Sequence, residues 1–222
     1  MSATLPHLIF DLDGTLVDSA PMIQAVANRV ADEFVLEPLS VAETISFIGR
    51  GADVFVRRML HSRGRTSEAD YADAVARFRT AYADAPTQLS IPMVGAEDAL
   101  DRLAATGHRL AICTNRPTEP TNLELKSRGW SDRFEAVVCG DTLKVRKPDP
   151  APLHHAIARL GGGDAIFIGD SETDAETAKA AGLPFVVYAH GYRKGRLEDM
   201  PHTMQFGDFA ILPDIISRVR TS

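Results

Sequence analysis

Five short apolar runs, none of which alternates between apolar and polar residues, constrain the fold of this chain more than any other feature. Runs of this kind are typical of strands in a parallel sheet that is covered on both faces. The segments between the last four runs have helical spacing of apolar residues, with Asp, Pro or Ser near their starts and Gly at their ends. Alternating strands and helices predict an α/β fold with a doubly wound parallel sheet. The runs are HLIF (7–10), RLAIC (109–113), AVV (136–138), AIFIG (165–169) and FVVYA (185–189).

The stretch between the first two runs, roughly 90 residues long, contains no convincing strand. Most of it has the pattern of helices, over 20–34, 40–49, 52–60 and 68–84. We therefore predict that the chain leaves the α/β core, forms a helical domain and returns. The predicted domains are a core of residues 1–14 and 89–222 and a helical insertion of residues 15–88, with linkers near 15–19 and 84–91.

Polar side chains follow three of the predicted strands directly. Because ligands bind outside the carboxyl ends of strands in open α/β sheets, these residues are expected to gather at one edge. A lysine in the loop KVRKPDP is held next to a proline that fixes the chain. The candidate residues are Asp11 and Asp13 after the first run, Thr114 and Asn115 after the second, Asp170 and Asp174 after the fourth, and Lys147 in the loop.

Carboxylates that meet in this way repel each other and are costly to bury unless a cation lies between them. All the candidate ligands are oxygens, so a hard ion such as Mg²⁺ fits better than zinc. A Mg²⁺ site usually combines one or two carboxylates with waters and substrate phosphate. Thr114, Asn115 and Lys147 are then candidate hydrogen-bond donors to the substrate phosphate. One carboxylate is placed to act as a nucleophile.

Four segments, FDLDGTLVDS, TN, KP and GDSETD, resemble in order and spacing the four motifs of the haloacid dehalogenase (HAD) superfamily of phosphohydrolases. The helical insertion after the first motif resembles the cap domain of that family. Within the insertion, FIGRGADVFVRRML resembles the cap of phosphoglycolate phosphatases. Near the end of the chain, AHGYRKG resembles the C-terminal part of the same proteins. The resemblance implies a Rossmann-like core with an inserted cap, and a phosphatase that works through an aspartyl-phosphate.

The resemblance also implies a role for each candidate residue. Asp11 would be the nucleophile, and Asp13 the general acid and base. Lys147 would offset the charge of Asp11 and the phosphate, while Thr114 and the Asn115 amide bind the phosphoryl group. The implied Mg²⁺ ligands are Asp11, the backbone carbonyl of Asp13 and Asp170, with Asp174 orienting a metal-bound water.

Three functions are compatible with these motifs. The first is a Mg²⁺-dependent phosphatase acting on a small anionic phosphomonoester, with 2-phosphoglycolate as the expected substrate. The second is a phosphatase or mutase for sugar phosphates or nucleotides, which shares every core motif. The third is a relative that binds ligands without catalysis, which the retained nucleophile and acid/base disfavour.

The cap is expected to select the substrate, and Arg50 is the tentative residue for this role. It lies between Gly49 and Gly51, where the backbone can turn and approach a ligand closely. A guanidinium can bind a carboxylate through two parallel hydrogen bonds. Arg57 or Arg58 could serve instead, and a solvent-facing Arg50 at a helix start is an equal alternative.

Whole-chain properties exclude some function classes. The net charge of −6 over 222 residues argues against general nucleic-acid binding, which needs a basic surface. No apolar stretch approaches the length of a membrane span, and no signal peptide is recognisable. Cys113 and Cys139 lie in apolar runs and indicate buried thiols in a reducing compartment. We expect a cytoplasmic enzyme that acts on small molecules. Whether it forms a homodimer is left open.

Overall fold

The computed structural model describes residues 5–220, and residues 1–4 and 221–222, which the sequence analysis assigned to the core, lie outside it. Six strands form one parallel sheet, in the spatial order β5-β4-β1-β6-β7-β8, and two short strands pair separately. Within the described range the strands are β1 His7–Phe10, β2 Val17–Asp18, β3 Ile91–Pro92, β4 Leu110–Cys113, β5 Ala136–Val138, β6 Ala165–Gly169, β7 Phe185–Tyr188 and β8 Met204–Phe206. All five predicted apolar runs are strands of the large sheet.

Helices cover both faces of this sheet, so the prediction of a doubly wound α/β core is confirmed. None of the helices in residues 5–220 combines the length and apolar character needed to cross a membrane. The helices of the same range are α1 Ala20–Glu33, α2 Val41–Phe47, α3 Ala52–Ser62, α4 Glu68–Ala83, α5 Ala96–Ala105, α6 Thr118–Ser127, α7 Ala151–Arg159, α8 Glu172–Ala181 and α9 Leu212–Ile216, with 3₁₀ turns at Thr87–Leu89, Leu197–Asp199 and Phe209–Ile211.

The central strand β1 shows why the apolar runs do not alternate. Leu8 and Phe10 point to one face, where they pack in a cluster with α5 and Trp130. Ile9 points to the other face and packs in a cluster with residues of α7 and α8. Since successive side chains of a strand face opposite sides, a sheet that is buried on both sides needs apolar residues at every position.

The helices α1 to α4 pack against each other around a separate apolar cluster. Phe55 of α3 and Phe78 of α4 are in ring contact there, with centroids 5.3 Å apart. The two chain segments that join these helices to the core pair as the antiparallel strands β2 and β3. Two residues per strand are too short to show a period, so the sequence did not predict this pairing. The division into a core and an insertion at residues 15–88 stays a prediction.

Three other elements were also missed by the sequence analysis. Strand β8 has only three residues and lies at the edge of the sheet, so it lacks a long apolar run. Helix α6 follows Pro117 and carries Pro120 in its first turn, which weakens the helical signal. Helix α9 has five residues, fewer than two helical turns.

Candidate active site

Three buried carboxylates meet at the carboxyl edge of the sheet. Asp11 follows β1 and Asp170 follows β6, and these two strands are neighbours in the sheet. Asp174 lies in the first turn of α8, directly beyond β6. One oxygen from each of the three carboxylates lies within 4.8 Å of the others. The topology therefore brings together residues that are up to 163 positions apart in the sequence.

One buried ammonium group joins this cluster. Nζ of Lys147 lies 2.8 Å from Oδ1 of Asp11 and 2.7 Å from Oδ1 of Asp174. The side chain of Lys147 is 2% exposed. Three carboxylates and one ammonium leave two uncompensated negative charges when all four groups are ionised.

The pKa values show that this charge is not fully balanced. Burial, followed by the charge of Asp174, raises the pKa of Asp11 to about 7, although Lys147 lowers it. Burial, followed by Asp174 and Asp11, also raises the pKa of Asp170. Burial opposes the charge of Lys147, but Asp11 and Asp174 raise its pKa. A divalent cation bound by oxygens would offset the excess charge, so the donor set fits a hard metal ion.

Hydrogen bonds fix the orientation of the two carboxylates at β6. Asp170 accepts from the Thr15 hydroxyl at 2.6 Å and from the Tyr192 backbone N–H at 2.6 Å. Oδ2 of Asp174 accepts from the Ser171 hydroxyl at 2.6 Å, and Ser171 is the N-cap of α8. Ser171 and Asp174 form a capping box, which both starts α8 and orients the Asp174 carboxylate.

Asp13 lies beside this cluster and is held by a separate set of contacts. Its Oδ1 accepts from the Ser19 hydroxyl at 2.5 Å and from Nε of Arg116 at 3.1 Å. The guanidinium of Arg116 is fully buried and also lies 3.0 Å from Oε2 of Glu124. The sequence analysis did not single out Arg116. Its position directly after Asn115, at the same edge of the sheet, was the signal that could have identified it.

Thr114 and Asn115 line the same edge from the end of β4. The Thr114 hydroxyl accepts from the backbone N–H of Arg116 at 3.1 Å. Nδ2 of Asn115 donates to the carbonyls of Lys147 and of Gly49, each at 2.9 Å. Because Gly49 lies between α2 and α3, the Asn115 side chain connects the group of helices α1 to α4 to the sheet.

A cavity of about 60 Å³ lies between these residues and the insertion. The core lines it with charged and polar groups, whereas the insertion contributes mainly apolar and aromatic side chains. Lining residues from the core include Asp11, Asp13, Thr114, Asn115, Arg116, Lys147, Asp170, Glu172 and Lys194, and those from the insertion include Ile23, Ile48, Gly49, Gly51, Phe55, Phe78 and Tyr82.

Comparisons with known proteins agree with this arrangement. The profile of the family described as "Haloacid dehalogenase-like hydrolase" matches residues 8–188. The chain belongs to this family. A phosphoglycolate phosphatase of Cereibacter sphaeroides is 45% identical over 213 residues, which cover 96% of this chain and 98% of that protein. A phosphoglycolate phosphatase of Rhodobacter capsulatus is 44% identical over 216 residues, covering 95% and 96%.

Solved structures give the same result for the fold of this haloacid dehalogenase-like hydrolase. The crystal structure of a predicted phosphoglycolate phosphatase from Haemophilus somnus superposes with a TM-score of 0.89 at 27% identity. The match covers 97% of this chain and 99% of that one. The sequence prediction of a HAD hydrolase that resembles phosphoglycolate phosphatases is confirmed.

The structure places the tentative substrate residue of this hydrolase at the boundary between insertion and core. Nη2 of Arg50 lies 2.7 Å from Oε2 of Glu176 on α8, in a partly exposed ion pair. Its neighbours Gly49 and Gly51 line the cavity. The two alternative arginines are also engaged: Arg57 pairs with Glu68 at 2.8 Å, and Arg58 donates to the Phe47 carbonyl at 3.2 Å.

Proposed function

We propose that this protein is a Mg²⁺-dependent phosphatase that hydrolyses 2-phosphoglycolate to glycolate and phosphate. The observation that carries the proposal is the Asp11 carboxylate, which lines the cavity and is held 2.8 Å from the Lys147 ammonium. The substrate is suggested by the names of relatives that are 44% and 45% identical over almost the whole chain.

In the proposed reaction, an oxygen of Asp11 attacks phosphorus and the bond from phosphorus to the ester oxygen breaks. Asp13 gives its proton to the departing glycolate oxygen, which leaves an aspartyl-phosphate on Asp11. Asp13 then takes a proton from water, which attacks this phosphorus and releases phosphate and free Asp11. Lys147 stabilises the charge that develops on the phosphoryl group, together with Thr114.

The Asn115 amide is part of the same proposed phosphate site. Because Nδ2 of its side chain already donates to two carbonyls, the backbone N–H is the group we assign to the phosphate. Backbone N–H groups are suited to this role because they point in fixed directions and need no reorganisation during the reaction.

The carboxylate cluster is the proposed Mg²⁺ site. Asp11, Asp170 and the backbone carbonyl of Asp13 would hold the ion, and Asp174 would orient a bound water. When bound, the ion would supply positive charge that neutralises the phosphoryl oxygens during transfer. The two uncompensated charges of the cluster match a divalent ion.

Residues 15–88 are proposed to act as a cap that opens for substrate and closes to exclude water. The paired strands β2 and β3 in the connecting segments are the proposed hinge. Arg50 would bind the substrate carboxylate after leaving Glu176. Its replacement by alanine should then cost about 1.5–3 kcal/mol on 2-phosphoglycolate but not on an ester with an uncharged tail. Equal losses on both esters, or none, would remove Arg50 from this role.

The remaining sequence-based alternatives are a sugar-phosphate or nucleotide phosphatase, a mutase and a non-catalytic relative. The phosphatase and mutase alternatives share every core motif, so only the residues at the tail end of the cavity separate them. The two free thiols, both buried, support the proposed cytoplasmic location, in which the enzyme acts as a monomer or a homodimer.

The deciding experiment measures phosphate release with Mg²⁺ across a panel of 2-phosphoglycolate, hexose phosphates and nucleoside monophosphates. We expect the highest kcat/KM for 2-phosphoglycolate. A higher kcat/KM for another ester would make that ester the substrate in place of 2-phosphoglycolate. Transfer of phosphate to an added sugar would indicate a mutase, and no release from any ester would indicate a binding protein.

A further inference from the structure

A loop of the core that follows β7 lies against both the metal-site carboxylates and the cavity. The backbone N–H of Tyr192 donates to Asp170, and the backbone N–H groups of Lys194 and Gly195 donate to Oε1 of Glu172 at 2.7 and 2.6 Å. The Tyr192 hydroxyl contacts Asp18 at 2.6 Å. These contacts fix the backbone of the loop on the core, and the exposed side chain of Lys194 lies at the edge of the cavity.

The cavity is lined by three cationic side chains, and two of them are already paired. Lys147 is paired with Asp11 and Asp174, and Arg116 with Asp13 and Glu124. Lys194 forms no ion pair within 4.0 Å of a carboxylate in the described part of the chain. The nearby Glu172 uses one oxygen to accept two backbone N–H groups of the same loop. The ammonium of Lys194 is therefore the cation of the cavity that remains available to a ligand.

Two arginines of the insertion lie near this lysine. Partial burial, followed by the positive charge of Arg58, lowers the pKa of Lys194; Glu172 raises it and Arg50 lowers it further. Lys194 and these two arginines therefore repel each other. An anionic group bound between them would replace repulsion by attraction.

We propose that Lys194 is a specificity-determining residue that binds the carboxylate at the tail of the substrate. The inference rests on the proposed function, because it assumes a phosphomonoester whose tail is anionic. In this arrangement Lys147 and the metal site hold the phosphoryl group, and Lys194 binds the opposite end of the same small molecule. Lys194 binds this carboxylate from the core, and Arg50, once it has left Glu176, contacts the same carboxylate from the insertion.

The test compares Lys194→Met with the wild-type enzyme on two substrates. One is 2-phosphoglycolate, and the other is 2-hydroxyethyl phosphate, in which a CH₂OH group replaces the carboxylate. Methionine keeps the apolar stem and removes the charge. We expect the preference for 2-phosphoglycolate, expressed as the ratio of the two kcat/KM values, to fall roughly 10- to 100-fold, mostly through KM. The matched control is Lys179→Met, an exposed lysine of α8 that does not line the cavity and should leave the ratio unchanged.

The outcomes separate this inference from the proposed function. If the wild-type enzyme prefers 2-phosphoglycolate and Lys194→Met keeps that preference, or loses activity equally on both esters, Lys194 is not the carboxylate site although the proposed function stands. If the wild-type enzyme has no preference for 2-phosphoglycolate, both the proposed substrate and the role of Lys194 are wrong.

Discussion

Replacement of Arg116 by methionine tests the contact that holds the proposed general acid. The guanidinium is fully buried between Asp13 and Glu124, and Asp13 is 13% exposed. Removing one partner of a buried ion pair typically costs about 3–5 kcal/mol. Glu124 retains Arg128 at 2.5 Å and Asp13 retains the Ser19 hydroxyl, so we expect the lower end, about 3 kcal/mol. For a chain of this size that lowers Tm by roughly 6–12 °C.

The same variant should have a selective effect on catalysis. General acid–base catalysis is typically worth about 10²–10⁴-fold, and Arg116→Met keeps Asp13 but loosens its position. We therefore expect kcat/KM for 2-phosphoglycolate to fall about 10- to 100-fold. An aryl ester such as p-nitrophenyl phosphate has a leaving group that needs little protonation. Its kcat/KM should fall much less, because kcat/KM reports the steps up to phosphoryl transfer to Asp11, and in those steps the aryl oxide leaves without needing a proton from Asp13.

The assay is thermal unfolding together with kcat/KM for the alkyl and the aryl ester at a temperature where all variants are folded. Arg133→Met is the matched control, since Arg133 pairs with Asp101 at the surface and should change stability by no more than about 0.5 kcal/mol. An unchanged Tm for Arg116→Met would refute the stability argument. Equal losses on the two esters would refute the positioning of Asp13.

Four further predictions concern the carboxylate cluster and Lys147. Asp11→Asn should abolish phosphate release in a folded protein, because the amide cannot act as the nucleophile; wild-type-like release would exclude Asp11. Lys147→Ala should strongly reduce kcat/KM, whereas the exposed Lys144→Ala should change it little, and the reverse order would mean that the wrong lysine was identified. EDTA should remove activity, Mg²⁺ should restore it and Ca²⁺, with its larger and looser shell, should not. Because the pKa of Asp11 is raised from 3.8 to about 7, the stability of the metal-free protein should fall as pH rises through this interval. Saturating Mg²⁺ should therefore raise Tm more at pH 8 than at pH 5, and an equal rise at both would contradict the metal site.

The parts of the fold that the sequence predicted are those whose signal is local. Strand β1 is buried on both faces, so every residue from Leu8 to Phe10 had to be apolar, and the run was visible without its partners. The pairing of β2 with β3 depends on two segments more than 70 residues apart, each only two residues long. Nothing in either segment alone indicates that pairing.

The same distinction applies to the candidate site. Asp11 and Asp170 follow apolar runs directly, so their meeting at the sheet edge could be inferred from the order of strands. The partner of Arg116 is Asp13, 103 positions away, and the orientation of a long side chain between them depends on how α6 packs. For Arg50 the sequence predicted the position but not the side-chain contact. Its flanking glycines line the cavity as expected, but its side chain pairs with Glu176.

The residues that bind the phosphoryl group and those that bind the substrate tail therefore differ in how far a sequence can identify them. Phosphoryl transfer needs a nucleophile, a cation and hydrogen-bond donors placed around one phosphoryl group. The ends of adjacent strands supply these residues at fixed positions after each strand. The tail can be bound by any cation that reaches the remaining space, from the core or from the insertion. Lys194 lies in the segment AHGYRKG, but its place at the cavity follows from the contacts of that loop with Asp170 and Glu172, which the sequence alone does not show. Reaction class can thus be assigned from the motifs, whereas substrate specificity depends on which cation of the folded cavity remains unpaired.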